Sequence, residues 1–163
     1  MIKFVPDSVT VPTGIETEDF RIRMLTVSDV VKDYDAVMTS VDHLQGVFGP
    51  NSSWPAKDLT LEQDLIDLGF HQKEFQLGRA FAYTVVSLDE SRCLGCVYID
   101  PAQKVGYEAA VILWVRASEV ETGLDEKLSA ALERWLSDHW WFKSVAFPGR
   151  KISWQNWELL PDK

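Results

Sequence analysis

The chain has 163 residues, of which 46% are hydrophobic and 25% charged, as in ordinary globular proteins long enough to bury a sizeable core. Its 25 acidic residues exceed its 16 basic residues, and the formal net charge of −9 disfavours binding to nucleic acids and to anionic membranes. No apolar run approaches the roughly 18 residues of a membrane span. The N-terminus has prolines and an aspartate where a signal peptide has an apolar core. We therefore expect a cytoplasmic protein that binds neither nucleic acid nor membrane.

The first half of the chain predicts an extended arm, one strand and two helices. Residues 1–18, rich in Pro, Thr and Val, are expected to form the arm, and residues 19–163 a single domain. Residues 20–25 alternate apolar and polar side chains, which is the period of a strand. Thr26 and Asp29 have the spacing of a capping pair at the start of the first helix. A second helix is predicted to run from Leu61 toward Leu77.

The second half predicts three consecutive strands, a helix and a last short strand. The strands cover residues 81–87, 93–100 and 108–115, with short turns between them that predict an antiparallel meander. The third helix begins near Leu124, and residues 144–147 form a strand that a helical crossover would place parallel to the strand ending at Val115. The tail after this strand could add one further strand but no long helix. The order β-α-α-β-β-β-α-β predicts an α+β fold with a mixed, mostly antiparallel sheet and helices on both faces.

The only two cysteines, Cys93 and Cys96, are spaced as a CxxC pair within the predicted second meander strand. Residues i and i+3 of a regular strand point to opposite faces, so the two thiols are expected to diverge. No second CxxC or His pair completes a zinc site, and we expect no metal. Two small buried strand residues are the simpler interpretation.

The element order, the opening FRIRMLTVSD and the segment WVRASEVETGLDEKL resemble the Gcn5-related N-acetyltransferase (GNAT) superfamily, over about residues 20–147. The family's pyrophosphate loop, Arg/Gln-x-x-Gly-x-Gly/Ala, falls on Val120, Gly123 and Asp125. Gly123 matches, whereas Val120 and Asp125 depart from the pattern. The C-terminus is shorter than the family's usual one.

The resemblance implies that acetyl-CoA is the cofactor, used as co-substrate. In this family the strand before the loop pairs its backbone with the pantetheine arm, and the loop amides face the pyrophosphate. The residues implied are, on the strand and entering the loop, Leu113, Trp114, Val115 and Arg116, and on the loop and helix start, Thr122, Gly123, Leu124 and Asp125.

The carboxylates of the loop oppose this role, because Glu119, Glu121, Asp125 and Glu126 would repel a phosphate. Thr122 and Asp125 also have capping-box spacing, so Asp125 could occupy the amides that a phosphate would use. Arg116 and Lys127 could offset part of the repulsion. The loop is therefore either a working CoA site or a plain capped helix start.

Acetyl transfer to an amine needs a base, and many members of the family use a carboxylate on the central strands. Glu108 and Asp100 lie at strand ends and are the candidates, with solvated strand-end charges as the alternative. His43 and Trp54 are candidates for the acceptor side, although surface or packing roles would equally explain them. The family's usual tyrosine acid is missing, because no tyrosine follows Tyr107.

Two functions stay open. The first is an N-acetyltransferase that moves acetyl from acetyl-CoA to an amine on a small molecule or peptide, by direct attack in a ternary complex. The second is a GNAT-like binding or structural module that has lost CoA binding and catalysis. The acceptor cannot be read from the sequence, and a homodimer is left open.

Overall fold

Six strands form one sheet, in which each strand lies beside its neighbour in the sequence. In this computed structural model, which describes residues 3–163, the strands are β1 (Gly14–Glu16), β2 (Arg21–Met24), β3 (Phe81–Val86), β4 (Cys93–Pro101), β5 (Ala109–Val115) and β6 (Val145–Ala146). Strands β1 to β5 pair with one another in antiparallel orientation. Strand β6 pairs parallel to β5 through Ala109–Val145 and Ala110–Ala146, which confirms the predicted crossover.

Five helices flank the sheet: α1 (Val30–Met38), α2 (Val41–Leu44), α3 (Leu61–Gln76), α4 (Leu124–His139) and α5 (Trp154–Leu159). The helices α1 to α3 and the loop between α2 and α3 cover one face, where Leu68, Tyr98 and Trp114 are buried. Helix α4 covers the other face with Leu128, Leu132 and neighbouring apolar residues. The α+β class, with helices on both faces of a mostly antiparallel sheet, is confirmed.

Polar side chains define where several elements begin. The predicted capping pair of Thr26 and Asp29 is formed, and it opens a short 3₁₀ turn (Val27–Asp29) that leads into α1. Thr60 and Gln63 form a capping box at the start of α3. Among residues 3–163, no helix is both long enough and apolar enough to cross a bilayer.

The predicted divergence of the two cysteine side chains is wrong. The pairing of β3 with β4 shifts between Val85 and Val86, because Val85 faces Gly95 while Val86 faces Cys93. This β-bulge adds one residue to β4, and the side chains of residues 93 and 96 therefore point to the same face of the sheet. Cys93 and Cys96 are consequently buried as free thiols in the same cluster, on the side of α1 to α3.

The two ends of the chain both pack against the domain. The N-terminal segment contains β1, and Phe4 stacks on Phe81 and Phe142 with centroid distances of 5.6 and 5.1 Å. The tail forms the six-residue α5 rather than the further strand that the sequence left open. The end of the tail packs on the connection between β4 and β5 through an isolated bridge between Lys104 and Asp162. Backbone hydrogen bonds from Val105 to Pro161 and from Lys163 to Gln103 strengthen this contact.

Candidate functional site

A groove opens where β5 continues beyond its parallel neighbour. Strand β6 pairs only with the first two residues of β5, and Pro148 then leads the chain away, so the edge of residues 111–115 is left without a strand partner on that side. The cavity at this edge has a volume of about 390 Å³. Its lining residues come from α2 and the loop after it, β5, the start of α4, the turn after β6 and the start of α5, and they include His43, Leu113, Asp125, Arg150 and Trp154.

Side chains of the protein occupy two carbonyl acceptors of this edge. The Nη2 of Arg150 donates to the carbonyl oxygen of Leu113 at 3.2 Å. The Nε2 of His43 lies 3.1 Å from the carbonyl oxygen of Val115. Leu113, Trp114 and Val115 have their side chains buried in the core, so these three residues present mainly backbone to the groove.

Arg150 also pairs with Asp125 across the groove. Both guanidinium Nη atoms donate to the Asp125 carboxylate, each at 2.7 Å, in a bidentate arrangement. The hydrogen bonds from Arg150 lower the pKa of Asp125, and burial opposes them only in part. The pair therefore holds one cation and one anion at the first turn of α4.

The capping box that the sequence allowed between Thr122 and Asp125 is not formed. The Asp125 carboxylate is bound by Arg150, and the Thr122 hydroxyl donates to the Glu119 carbonyl oxygen at 2.8 Å. Gly123 precedes α4 with a φ of +79°, and no side chain caps the helix among the described residues. This left-handed conformation suits glycine, and it leaves the amides of Leu124 to Glu126 at the groove end of the helix without a side-chain acceptor. The Leu124 side chain is buried in the core.

Basic side chains offset part of the acidity of the loop. Arg92 lies 3.4 Å from a carboxylate oxygen of Glu119, and Lys127 lies 3.2 Å from Asp19. Arg150 neutralises Asp125. Glu121 and Glu126 stay exposed to solvent, where their repulsion is screened.

Arg116 lies inside the domain rather than in the groove. Its guanidinium donates to Asp35 at 2.9 Å, to the hydroxyl of Thr39 at 3.0 Å and to the carbonyl oxygen of Cys93 at 3.1 Å. Only 6% of the residue is exposed. It ties β4 to the C-terminal end of α1, and a phosphate on the loop would not reach it without rearrangement.

The two candidate bases lie in different environments. The Glu108 carboxylate accepts hydrogen bonds from the amides of Lys143 and Ser144, at the opposite end of β5 from the groove. Asp100 lies on the same sheet face as Tyr98, two residues away, and pairs with Ala110 beside Ile112, which lines the groove. Burial raises the pKa of Asp100 to about 6.

Of the two acceptor-side candidates, only His43 lines the groove. His43 lies in α2 and lines the groove directly. Trp54 lies in the loop before α3 and packs on Trp114, with ring centroids 6.0 Å apart. Trp54 thus touches the groove only through Trp114, and it lines a separate cavity.

Sequence reasoning missed Arg150, Asp33 and Asp64. Arg150 follows the parallel strand β6 by four residues, and parallel neighbours end at the same edge of a sheet, so its approach to the end of β5 could have been expected. Asp33 and Asp64 are buried on helix faces that otherwise carry apolar side chains. Their position interrupts the helical pattern, which was the available signal.

The sequence matches no family model and no curated protein. Solved structures match the fold. A ribosomal-protein-S5-alanine acetyltransferase from Vibrio fischeri superimposes with a TM-score of 0.60 and 19% identity, over 77% of this chain and 67% of that chain. The microcin C7 self-immunity acetyltransferase MccE, solved with acetyl-CoA and AMP, gives a TM-score of 0.60 and 16% identity over 78% and 68%.

RimL, a ribosomal L7/L12 alpha-N-protein acetyltransferase in complex with coenzyme A, gives a TM-score of 0.58 and 17% identity over 76% and 66% of the two chains. The chain thus spans about two thirds of the length of these neighbours. At such low identities the similarity shows the fold alone, and this fold is that of the GNAT acetyltransferases.

Proposed function

We propose that the protein is an N-acetyltransferase that binds acetyl-CoA in the groove along β5 and transfers its acetyl group to an amine. The observation that carries this proposal is the open edge of β5, which ends beside the uncapped first turn of α4. An extended ligand could pair with the backbone of residues 113–115, and its pyrophosphate would then meet the free amides of the helix start. The same arrangement of strand edge and helix start belongs to a fold whose solved members include complexes with coenzyme A and acetyl-CoA.

The charges of the groove fit an anionic ligand once Arg150 changes partner. In the present arrangement Arg150 is bound by Asp125 and by the Leu113 carbonyl. A pyrophosphate at the helix start would compete with Asp125 for the guanidinium, and release of the Leu113 carbonyl would open it to the pantetheine arm. Arg92 and Lys127 also lie at the loop, where they neutralise Glu119 and Asp19.

Acetyl-CoA supplies an activated acetyl thioester, and the protein must orient an amine and accept its proton. The amine nitrogen would attack the carbonyl carbon, the carbon–sulfur bond would break, and the thiolate would leave with a proton from water. Of the two candidate bases, Asp100 has the better position, because it shares the sheet face and the strand pair that border Ile112. Glu108 serves the backbone of residues 143 and 144 instead.

The test is calorimetry with acetyl-CoA, coenzyme A and dephospho-coenzyme A on three variants. Asp125→Asn should tighten acetyl-CoA binding by about tenfold, because it removes a charge and frees Arg150 for the phosphates. Arg150→Gln should weaken binding by a similar factor, since it leaves Asp125 unneutralised. Glu126→Gln is the matched control, because it removes an exposed charge from the same helical turn without releasing Arg150.

An equal effect of Asp125→Asn and Glu126→Gln would mean that only the net charge of the loop matters, and that Arg150 does not take a phosphate. Unchanged affinity in all three variants would place the cofactor elsewhere.

The rival function is a GNAT-like binding module without CoA. It is favoured by one observation, that Arg150 and His43 already occupy two carbonyl acceptors of the β5 edge. This reading requires that neither acetyl-CoA nor coenzyme A binds to the wild type or to Asp125→Asn at millimolar concentrations. The same calorimetry therefore separates the two functions.

A further inference from the structure

A second cavity, of about 320 Å³, lies between α1, α3 and the face of β4. This volume is at the small end of ligand sites, and it suits a small ligand. We call it the aromatic pocket and define it by five rings and three carboxylates that line it: Phe48, Trp54, Phe70, His71 and Tyr98, with Asp33, Asp64 and Asp67.

The five rings form a continuous wall. Phe70 contacts His71 with centroids 5.7 Å apart, and His71 contacts Tyr98 at 5.4 Å. Phe48 then contacts Tyr98 at 5.0 Å and Trp54 at 5.1 Å. Aromatic faces carry negative electrostatic potential and attract cations, ammonium groups in particular. Burial lowers the pKa of His71, so this ring adds no positive charge at neutral pH.

Two carboxyl groups lie at the floor of the pocket. Asp33 is 4% exposed and Asp64 is 3% exposed, and both line the cavity. Within residues 3–163, the Oδ2 atom of Asp64 is buried and has no hydrogen-bond partner. A buried carboxylate oxygen without a partner is costly, and a ligand that brings an N–H group or a positive charge would satisfy it.

No basic residue of the pocket neutralises the Asp33–Asp64 pair. Burial, and after it the nearby Asp64 carboxylate, raise the pKa of Asp33 well above its usual range, and burial also raises the pKa of Asp64. A positive charge in the cavity would favour the ionised form of either group. Asp67 adds a further carboxylate at the exposed rim, and no lysine or arginine lines the cavity.

We infer that the aromatic pocket binds a small organic ammonium ion, with its nitrogen at Asp64 and its alkyl groups against the aromatic wall. A metal ion fits less well, because no three His, Cys, Asp or Glu side chains in the described part of the chain are grouped as metal ligands. This inference goes beyond acetyl transfer and does not depend on acetyl-CoA binding. Trp54 lines the pocket and packs on Trp114, which lines the groove. These two rings would therefore separate the ligand from the groove.

The inference is tested by calorimetry and by saturation-transfer NMR with choline, tetramethylammonium and phenethylammonium as probes. The neutral control is 3,3-dimethylbutan-1-ol, which has the shape of choline but lacks its charge. The cations should bind at least about tenfold more tightly than the neutral control, since both the carboxylate and the rings favour positive charge.

Two variants locate the binding site. Asp64→Asn should weaken cation binding by about tenfold or more, whereas Glu62→Gln, which removes an exposed charge from the same helix, should stay within about twofold. Trp54→Leu should also weaken the binding of the quaternary probes, because it removes one ring of the wall. Thermal unfolding of each variant establishes that it is folded.

Three results would overturn the inference. Equal binding of the neutral control would make the pocket a simple apolar cavity. Full competition by Mg²⁺ or Ca²⁺ would identify a metal site. Absence of cation binding to the wild type at millimolar concentrations, or unchanged binding in a folded Asp64→Asn variant, would exclude this pocket as an ammonium site.

Discussion

Three carboxyl groups of this protein have their pKa raised by burial, and two of them line a cavity. Asp33 and Asp64 lie in the aromatic pocket, whereas Asp100 pairs with Ala110 at the end of β5 that β6 covers. Folding would be favoured by apolar residues at such positions, because burial of a carboxylate opposes its ionisation. Residues that cost stability and line cavities are candidates for function.

The Asp33–Asp64 pair should make the protein less stable as pH rises. Folding raises the pKa of both groups. The free energy of unfolding is therefore highest below about pH 4, where these carboxyls are protonated in the unfolded chain as well, and it decreases as pH rises. Asp64→Asn should therefore raise the free energy of unfolding at pH 7 by roughly 1 kcal/mol, with the difference vanishing near pH 4. Urea denaturation at both pH values measures it, and a variant less stable than the wild type at pH 7 would contradict it.

Asp100 should control the pH dependence of acetyl transfer, if it is the base. Its pKa is raised to about 6 by burial, and a base works only when deprotonated. With an amine acceptor found by screening, kcat/KM should fall as pH drops below about 6, and Asp100→Asn should abolish that limb and most of the turnover. The acetyl-CoA affinity should be unchanged. Retention of the acidic limb in Asp100→Asn would assign it to another group.

Short elements at the edges of the sheet depend on individual side chains for their position. Strand β6 has only two residues and pairs with β5 through Ala109 and Ala110. The Glu108 carboxylate, just before β5, binds the amides of Lys143 and Ser144 and so holds the approach to β6. This contact holds the start of β6 against the first residues of β5, at the end opposite the groove.

Loss of the Glu108 carboxylate should destabilise this edge rather than remove a catalytic group. Glu108→Ala should lower the free energy of unfolding by about 1 kcal/mol, the scale of hydrogen bonds to a charged acceptor that is exposed to water. Glu18→Ala, which removes an exposed carboxylate elsewhere, should have a much smaller effect. Chemical denaturation compares the two, and a turnover loss without a stability loss in Glu108→Gln would restore Glu108 as the candidate base.

The whole molecule is built around three central strands. Every residue of β3 is buried, as are the first seven residues of β4, whereas β1 and β6 are short and lie at the two edges. Helix α4 and the helices α1 to α3 cover opposite faces of this centre. Local opening should therefore begin at the edges of the sheet.

Amide hydrogen exchange should show this order directly. The amides of Tyr83 and Val97 should exchange slowest, through global unfolding, whereas Ala146 in β6 should exchange at least about tenfold faster through local opening. The measurement is native-state exchange followed by NMR. Protection of β6 equal to that of β4 would mean that the groove edge is as rigid as the core.

The sequence by itself determined the longer elements and their order, because strand and helix periods depend on neighbouring residues, but it missed the short elements β1, α2 and α5. The alternation in residues 20–25, the apolar spacing after Leu124 and the crossover to a parallel last strand were all predicted correctly. Gly123 was identified as the residue before the third helix for the same local reason.

Only the tertiary structure decided which side chains meet. Asp125 and Arg150 are 25 residues apart, and no local pattern pairs them. The extra residue in β4 places the Cys96 side chain on the same face of the sheet as Cys93, whereas the sequence predicted opposite faces. On α3, Asp64 is buried while Leu65 is 42% exposed, because packing against α1 and β4 selects the buried face and the helical period alone does not. The groove and the aromatic pocket both consist of such long-range contacts, so their chemistry became visible only in the folded chain.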